Sequence, residues 1–127
     1  MVQAIVFDFD GTVLESADIK TDAFRELFRN HPEHQDEIVK YHLAHAGISR
    51  YTKFCEIYRN ILKQPLSGRE EERLGSVFQH LIADRMMTCP LVPGVQAFLD
   101  VASRRFKCFI ASGTPEKELH PLVDHRG

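Results

Sequence analysis

Two short, almost wholly apolar runs frame this chain: Ala4-Ile-Val-Phe-Asp-Phe9 near one end and Phe106-Lys-Cys-Phe-Ile-Ala111 near the other. Neither alternates apolar with polar residues. Continuous runs of this length suit strands covered on both faces, as in a parallel sheet; a strand with one wet face alternates. Each run stops at a turn containing glycine, Gly11 in the first case and Ser112-Gly113 in the second. Helical patterning follows each turn. Two parallel strands joined by a crossover are expected side by side, which makes the fold class α/β.

The connection between the strands is helical throughout. Ser16 is placed to cap a helix running to about Asn30, with Ala23, Phe24, Leu27 and Phe28 on one stripe. After His31-Pro32 a second helix spans about Glu33 to Ala46, with Ile38, Tyr41 and Ala44 or His45 facing inward and Gly47 as its stop. A third starts near Ser49, carries Phe54, Ile57, Tyr58, Ile61 and Leu62 at helical spacing, and ends at Gln64-Pro65. Ser67-Gly-Arg-Glu70 reads as a capping box for a fourth, with the stripe Leu74, Val77, Phe78, Leu81 and Ile82. Residues 16–88 thus form an all-helical insertion with 11 acidic and 11 basic residues. Residues 1–15 and 89–127 supply the α/β part. There, a helix with Val95, Phe98, Leu99 and Ala102 facing inward precedes the second strand. Thr114-Pro115-Glu116 opens a last helix, with Leu119, Leu122 and Val123 as its stripe and His125, Arg126 and Gly127 at its end.

The totals exclude several classes of partner. A net charge of −2 over 127 residues gives no electrostatic reason to expect nucleic acid or an acidic membrane. No apolar run is long enough to span a bilayer. Met1 leads into a strand without a basic n-region, so a cytoplasmic chain is expected. Cys55, Cys89 and Cys108 have neither metal-ligand nor redox spacing, which fits reduced thiols.

The chemistry lies where the first strand ends. Side chains two apart on a strand point the same way, so Asp8 and Asp10 can face one point. In open parallel sheets the carboxyl ends of the strands are where ligands bind. Two adjacent carboxylates repel unless a hard cation such as Mg2+ sits between them or they share a proton. The pair could equally be two solvated strand-end acids.

The run VFDFDGTVLES, residues 6–16, resembles motif I of the haloacid dehalogenase-like superfamily. CFIASGT, ending in Ser112-Gly113-Thr114, resembles its motif II, and PLVPGVQAFLD resembles the helix entry preceding it. The intervening helical block is similar to a C1-type cap, and the phosphoglycolate-phosphatase-like members look most similar. The resemblance implies a partial Rossmannoid core and a Mg2+-dependent phosphatase acting on a small phosphorylated metabolite. In that reading Asp8 is the nucleophile that becomes an aspartyl phosphate. Asp10 protonates the leaving oxygen and then activates water. The carboxylate of Asp8 and the backbone carbonyl of Asp10 hold Mg2+. Gly11 and Thr12 begin a mobile turn, and Thr12, Ser112 and Gly113 bind the phosphoryl group. An Asp at position 10 favours phosphoryl transfer over dehalogenation, because a halide leaves without a proton.

The same resemblance implies a motif III lysine and motif IV acids after motif II, and these residues are not found. Lys117, Glu116, Glu118 and Asp124 lie on the wrong element to replace them. Two strands alone also leave a parallel sheet with open edges. The expectation is therefore a truncated chain. The alternatives are a sheet completed by self-association through its open edges, or a catalytically silent binding or assembly module.

Two remaining features read as ordinary surface. The pairs His31/His34 and His42/His45 have i, i+3 spacing but no accompanying zinc pattern. Arg50, Lys53, Arg59 and Lys63 make the third helix basic. That face could meet an anionic substrate, and the plainer expectation is a solvated face.

Overall fold

The computed structural model describes residues 1–126, with side chains through Asp124. The end of the last helix, where His125, Arg126 and Gly127 were placed by the sequence, lies outside the residues described to that level. In chain order the elements are β1 (Ala4–Asp8), α1 (Ala17–Leu27), α2 (Gln35–Ala44), α3 (Arg50–Glu56), α4 (Gly68–Thr88), α5 (Val95–Ala102), β2 (Lys107–Ala111) and α6 (Glu116–Arg126). Helix α3 runs on as a π-helical turn, Ile57–Leu62.

β1 and β2 are parallel neighbours, as the crossover requires, with Ala4 opposite Lys107 and Asp8 opposite Ala111. Only one face of this ribbon is covered. Ile5, Phe7, Cys108 and Ile110 are half-buried, whereas Val6 is 63% and Phe109 52% exposed. The apolar runs thus carry covering for two faces on a sheet that uses one. Helix α5 lies beside it, with the Phe98 ring edge-on to Phe7 at 6.0 Å. Phe98 remains 53% exposed, contrary to the inward face assigned to it from periodicity. Ala102 is buried.

The turn after β1 is wound around one acceptor. Backbone N–H groups of Thr12, Val13 and Leu14 donate to the carbonyl of Phe9 at 3.2, 2.8 and 3.1 Å. Gly11, at φ +75°, takes the left-handed conformation this reversal needs. The strands leading into and out of the helical block then run side by side. Glu15 N–H donates to the Pro90 carbonyl and Val92 N–H to that of Val13, both at 2.9 Å. Both crossings into the helical block therefore sit beside the carboxyl end of β1.

The main core lies inside that block. Phe24, Phe28, Phe54, Phe78, Ile38, Ile57 and Leu74 are at most 1% exposed. Their rings pack at centroid distances of 5.2 Å for Phe24 and Phe78 and 5.9 Å for Phe24 and Phe54. Edge-on and tilted ring pairs of this kind add to the area they bury. Ser49 caps α3, its hydroxyl accepting from Tyr51 N–H at 3.3 Å. Ser67 caps α4, accepting from Glu70 N–H at 3.1 Å. The Glu70 carboxylate does not complete the box: it accepts from Tyr58 and Arg73 instead. With burial, that neighbouring acid pushes the Tyr58 hydroxyl up to about 12. The π-helical turn ends at Lys63, whose φ of 55° is left-handed. Val77 faces outward at 36% exposed, so the stripe of α4 is narrower than its spacing implied.

Phe54 is completely buried and contacts three other aromatic rings. Phe54→Ala is expected to cost about 3–5 kcal/mol, the usual penalty for an aromatic-sized core cavity. Urea denaturation of the two chains checks this.

Candidate active site

The carboxyl end of β1, the turn after β2 and the inner ends of α1, α2 and α3 enclose a cavity of about 120 Å³. Asp8 and Asp10 line its sheet side together with Gly113 and Thr114. Lys20, His42, Arg50 and Lys53 line its helical side. Among the expected site residues, the structure thus brings Asp8, Asp10 and Gly113 to one space. Thr12 is exposed on the turn and does not line it. Ser112 also stays outside the lining, its hydroxyl accepting from Thr114 N–H at 3.0 Å.

The two acids sit differently. Asp8 ends its strand with an exposed carboxylate whose Oδ1 accepts from Phe9 N–H at 2.9 Å. Asp10 lies just past the strand, and both its oxygens are engaged. Oδ1 accepts from the Ser16 hydroxyl at 2.6 Å and Oδ2 from the Lys20 ammonium at 2.6 Å. Ser16 occupies the N-cap position of α1, yet its side chain makes no capping bond. It is fully buried, and its hydroxyl turns to the carboxylate instead. A charged acceptor is the stronger partner, which is the physical reason the expected cap is not formed.

Lys20 joins the two sides of the site. It also donates to the Thr114 hydroxyl at 2.8 Å, so one side chain of α1 reaches both the β1 turn and the β2 turn. Sequence reasoning missed it. Ser16 and Lys20 are four apart and share a face of α1, but nothing in the sequence aims that face at Asp10.

The basic residues of α3 divide into two pairs. Arg59 and Lys63 are exposed, as a solvated face requires. Arg50 and Lys53 are not: they are 5% and 4% exposed, which corrects that expectation. Arg50 makes a two-pronged ion pair with Glu118 of α6, at 3.1 and 2.7 Å, and its guanidinium lies 4.5 Å over the Phe78 ring. Fork-on-fork pairing and stacking on a ring suit arginine and let it be buried.

Lys53 is held otherwise. Its Nζ is 3.0 Å from Nδ1 of His42, 3.5 Å from the His42 carbonyl oxygen, and 5.5 Å from the centre of the Phe24 ring. Among the described residues no carboxylate pairs with it. Burial, then the nearby Lys20 charge, draws Lys53 down to about 8, with Asp10 acting against them. His42 was expected on the surface. It is 8% exposed and stacks on Phe24 at 4.3 Å. Burial and then the Lys53 charge draw it down to about 4. A neutral ring can accept from Lys53 through Nδ1.

Gly113 closes the space. A Cβ there would stand 2.8 Å from the Gly47 carbonyl oxygen and 3.1 Å from Ile48 backbone atoms. Only glycine lets the turn after β2 approach the α2–α3 loop this closely.

An oxygen-lined strand end thus lies under a cationic helical block, on a parallel α/β sheet. The chain belongs to the haloacid dehalogenase-like hydrolases, whose family model matches residues 2–127. Solved structures agree on the fold. CbbY from Rhodobacter sphaeroides, in complex with xylulose-1,5-bisphosphate, superposes at a TM-score of 0.70 with 18% identity, over 98% of this chain and 57% of its own. A predicted phosphatase from Clostridium acetobutylicum gives 0.71 at 18% identity, over 99% and 56%. A predicted phosphoglycolate phosphatase from Haemophilus somnus gives 0.66 at 13% identity, over 97% and 56%. The chain thus spans little more than half the length of these structures. No curated protein matches it. No helix among the described residues is long and apolar enough to cross a membrane.

The shift of His42 has a direct check. Its ring signals in a proton NMR titration are expected to move with a midpoint near 4, not near the ordinary 6.5 or so. Between those values the unfolded chain binds a proton the folded one does not. His42 therefore makes stability fall as pH drops through that window. His42→Gln is expected to flatten this part of the dependence of the urea midpoint on pH.

Proposed function

We propose that this chain carries the catalytic strand end of a phosphatase that hydrolyses small phosphate monoesters. The observation behind this reading is the meeting of Asp8, Asp10, Gly113 and Thr114 on one wall of a cavity whose opposite wall is cationic. Residues 16–88 act as a cap over the α/β core formed by 1–15 and 89–127. The phosphatases among the similar folds support the substrate class. The reading places the chain in the cytoplasm, among phosphorylated metabolites.

Asp8 has the exposed carboxylate and attacks phosphorus, giving an aspartyl phosphate as the ester oxygen leaves. Asp10 passes a proton to that oxygen and then takes one from the water that releases phosphate. Ser16 and Lys20 hold the Asp10 carboxylate in one orientation, as a proton carrier requires. The Lys20 ammonium also places positive charge beside the phosphoryl oxygens. Gly113 and Thr114 lead into α6, whose amino-terminal end favours an anion.

The donors offered by Asp8 and Asp10 are oxygens, the ligands Mg2+ prefers. No group of three or more metal-binding side chains exists among the described residues. A single carboxylate and a backbone carbonyl still fit, because Mg2+ keeps waters and takes substrate phosphate oxygens. The carboxylate of Asp8 and the carbonyl of Asp10 would hold it. When bound, it neutralises charge on the phosphoryl oxygens.

Hydrolysis of p-nitrophenyl phosphate tests the reading. The chain is expected to turn it over with Mg2+ and not with chelator present, and Asp8→Asn to lower the rate about a thousandfold or more. A folded wild-type chain without Mg2+-dependent turnover overturns the reading for this polypeptide.

A second reading rests on a different observation. Val6 and Phe109, opposite each other in the strand pairing, are each more than half exposed on the uncovered face of the sheet. We propose that this face pairs with a second copy of the chain, since contiguous apolar surface is a common mark of association. Sedimentation velocity is expected to show a dimer that dissociates on dilution. A monomer at every concentration refutes it.

A further inference from the structure

We infer that Glu118 is a positioning residue of this site: it holds the Arg50 guanidinium away from the Asp8 carboxylate. This rests on the phosphatase reading and deepens it, by naming what keeps the nucleophile available. Partners are unevenly shared along the cavity, which Asp8, Asp10, Lys20 and Arg50 all line. Asp10 has both oxygens engaged, one by Ser16 and one by Lys20. Lys20 is held in turn by Asp10 and Thr114. Asp8 is different. Among the described residues no cation pairs with it, and its Oδ1 accepts from the adjoining Phe9 N–H. A guanidinium bound to that carboxylate would occupy the oxygens that attack phosphorus and that would hold Mg2+.

Arg50 is well suited to make that wrong contact. Its planar fork matches a carboxylate. It is 5% exposed, so water offers it little. A buried guanidinium that loses its acid must find another. Glu118 supplies that acid from α6 and takes both prongs, at 3.1 and 2.7 Å. The Glu118 side chain is itself only 10% exposed. With its amide oriented to donate, Gln79 of α4 bonds the same carboxylate at 2.7 and 3.1 Å. Glu118 lies outside the cavity that Arg50 lines, on a groove it shares with Gln79 and Lys117. The fork is thus anchored to a partner outside the site, with the Phe78 ring 4.5 Å beneath it. Buried ion pairs add little net stability, so stability alone does not account for this one.

Hydrolysis of p-nitrophenyl phosphate tests the inference, since that ester has no second anion for Arg50 to bind. Glu118→Gln keeps the shape of the side chain and removes its charge. Its turnover is expected to fall about tenfold, the scale of one charged hydrogen bond. Calorimetric binding of Mg2+ is expected to weaken by a similar factor, because it draws on the same Asp8 carboxylate. Adding Arg50→Met is expected to return both to within about threefold of the wild-type chain. A merely structural pair gives the opposite result, a double variant no better than the single one. If circular dichroism shows that Glu118→Gln does not fold, Glu118→Asp takes its place. It keeps the charge one methylene short, and a smaller fall with the same recovery is expected. Unchanged turnover and Mg2+ binding in the single variant overturn the inference and leave the phosphatase reading standing. So does a loss that Arg50→Met fails to reverse. A folded wild-type chain without turnover overturns both.

Discussion

The ammonium of Lys20 sits between two acceptors from opposite ends of the sequence, the Asp10 carboxylate and the Thr114 hydroxyl. Much of the site follows from that placement. It draws the first turn of α1 onto the strand ends, so the helical block lies over the sheet. It orients Asp10 jointly with Ser16. Burial is the larger cause of the lowered proton affinity of Lys53 and His42, and the Lys20 charge adds to it while Asp10 opposes it. A contact between strongly interacting charges at short range, half-shielded from water, is far less screened than one on the surface.

A second tie acts at a distance from the first. Arg50 and Glu118 bring α3 against α6, with Phe78 beneath the guanidinium. Such a pair contributes less to net stability than its geometry suggests, because both charges were solvated before folding. Its effect is on position. Two directed contacts, one through α1 and one through α3, leave the helical block little freedom to slide across the strand ends. Gly113 sets the limit of approach, since any larger residue would strike the α2–α3 loop.

The burial of the chain is uneven. The aromatic cluster of α1, α3 and α4 is as dry as any domain core, whereas the sheet keeps one apolar face in water. The stability of the chain therefore resides in the helical block, and the site is built where that block meets a thin sheet. A site at the junction of two packed units has walls that differ in chemistry: carboxylates and backbone from the strands, cations from the helices.

Local patterns were legible in the sequence because they depend on residues a few positions apart. The continuous apolar runs marked both strands, and the crossover between them fixed their parallel pairing. Stripes at helical spacing located each helix, and Ser49 and Ser67 marked two starts. Asp8 and Asp10 stood out because a strand end with two carboxylates asks for a reason. The exposed face of Val6 and Phe109 was implied too, by strands more apolar than a two-stranded sheet can cover. Phe98 and Val77 read wrongly as inward because helical spacing does not say how much of a stripe finds a partner, and among the polar residues charge is mistaken for exposure. Lys20, His42, Arg50 and Lys53 sit on helices whose polar residues mostly face water, and a sequence does not say which of them are turned inward. The sequence by itself determined the elements, their order and the pair of acids at the end of β1, because backbone propensity and periodicity are short-range. Only the tertiary structure decided that three cations and a histidine close over those acids. That meeting requires contacts between residues as far apart as Lys20 and Thr114, and between Arg50 and Glu118, and such contacts exist only once the chain has packed.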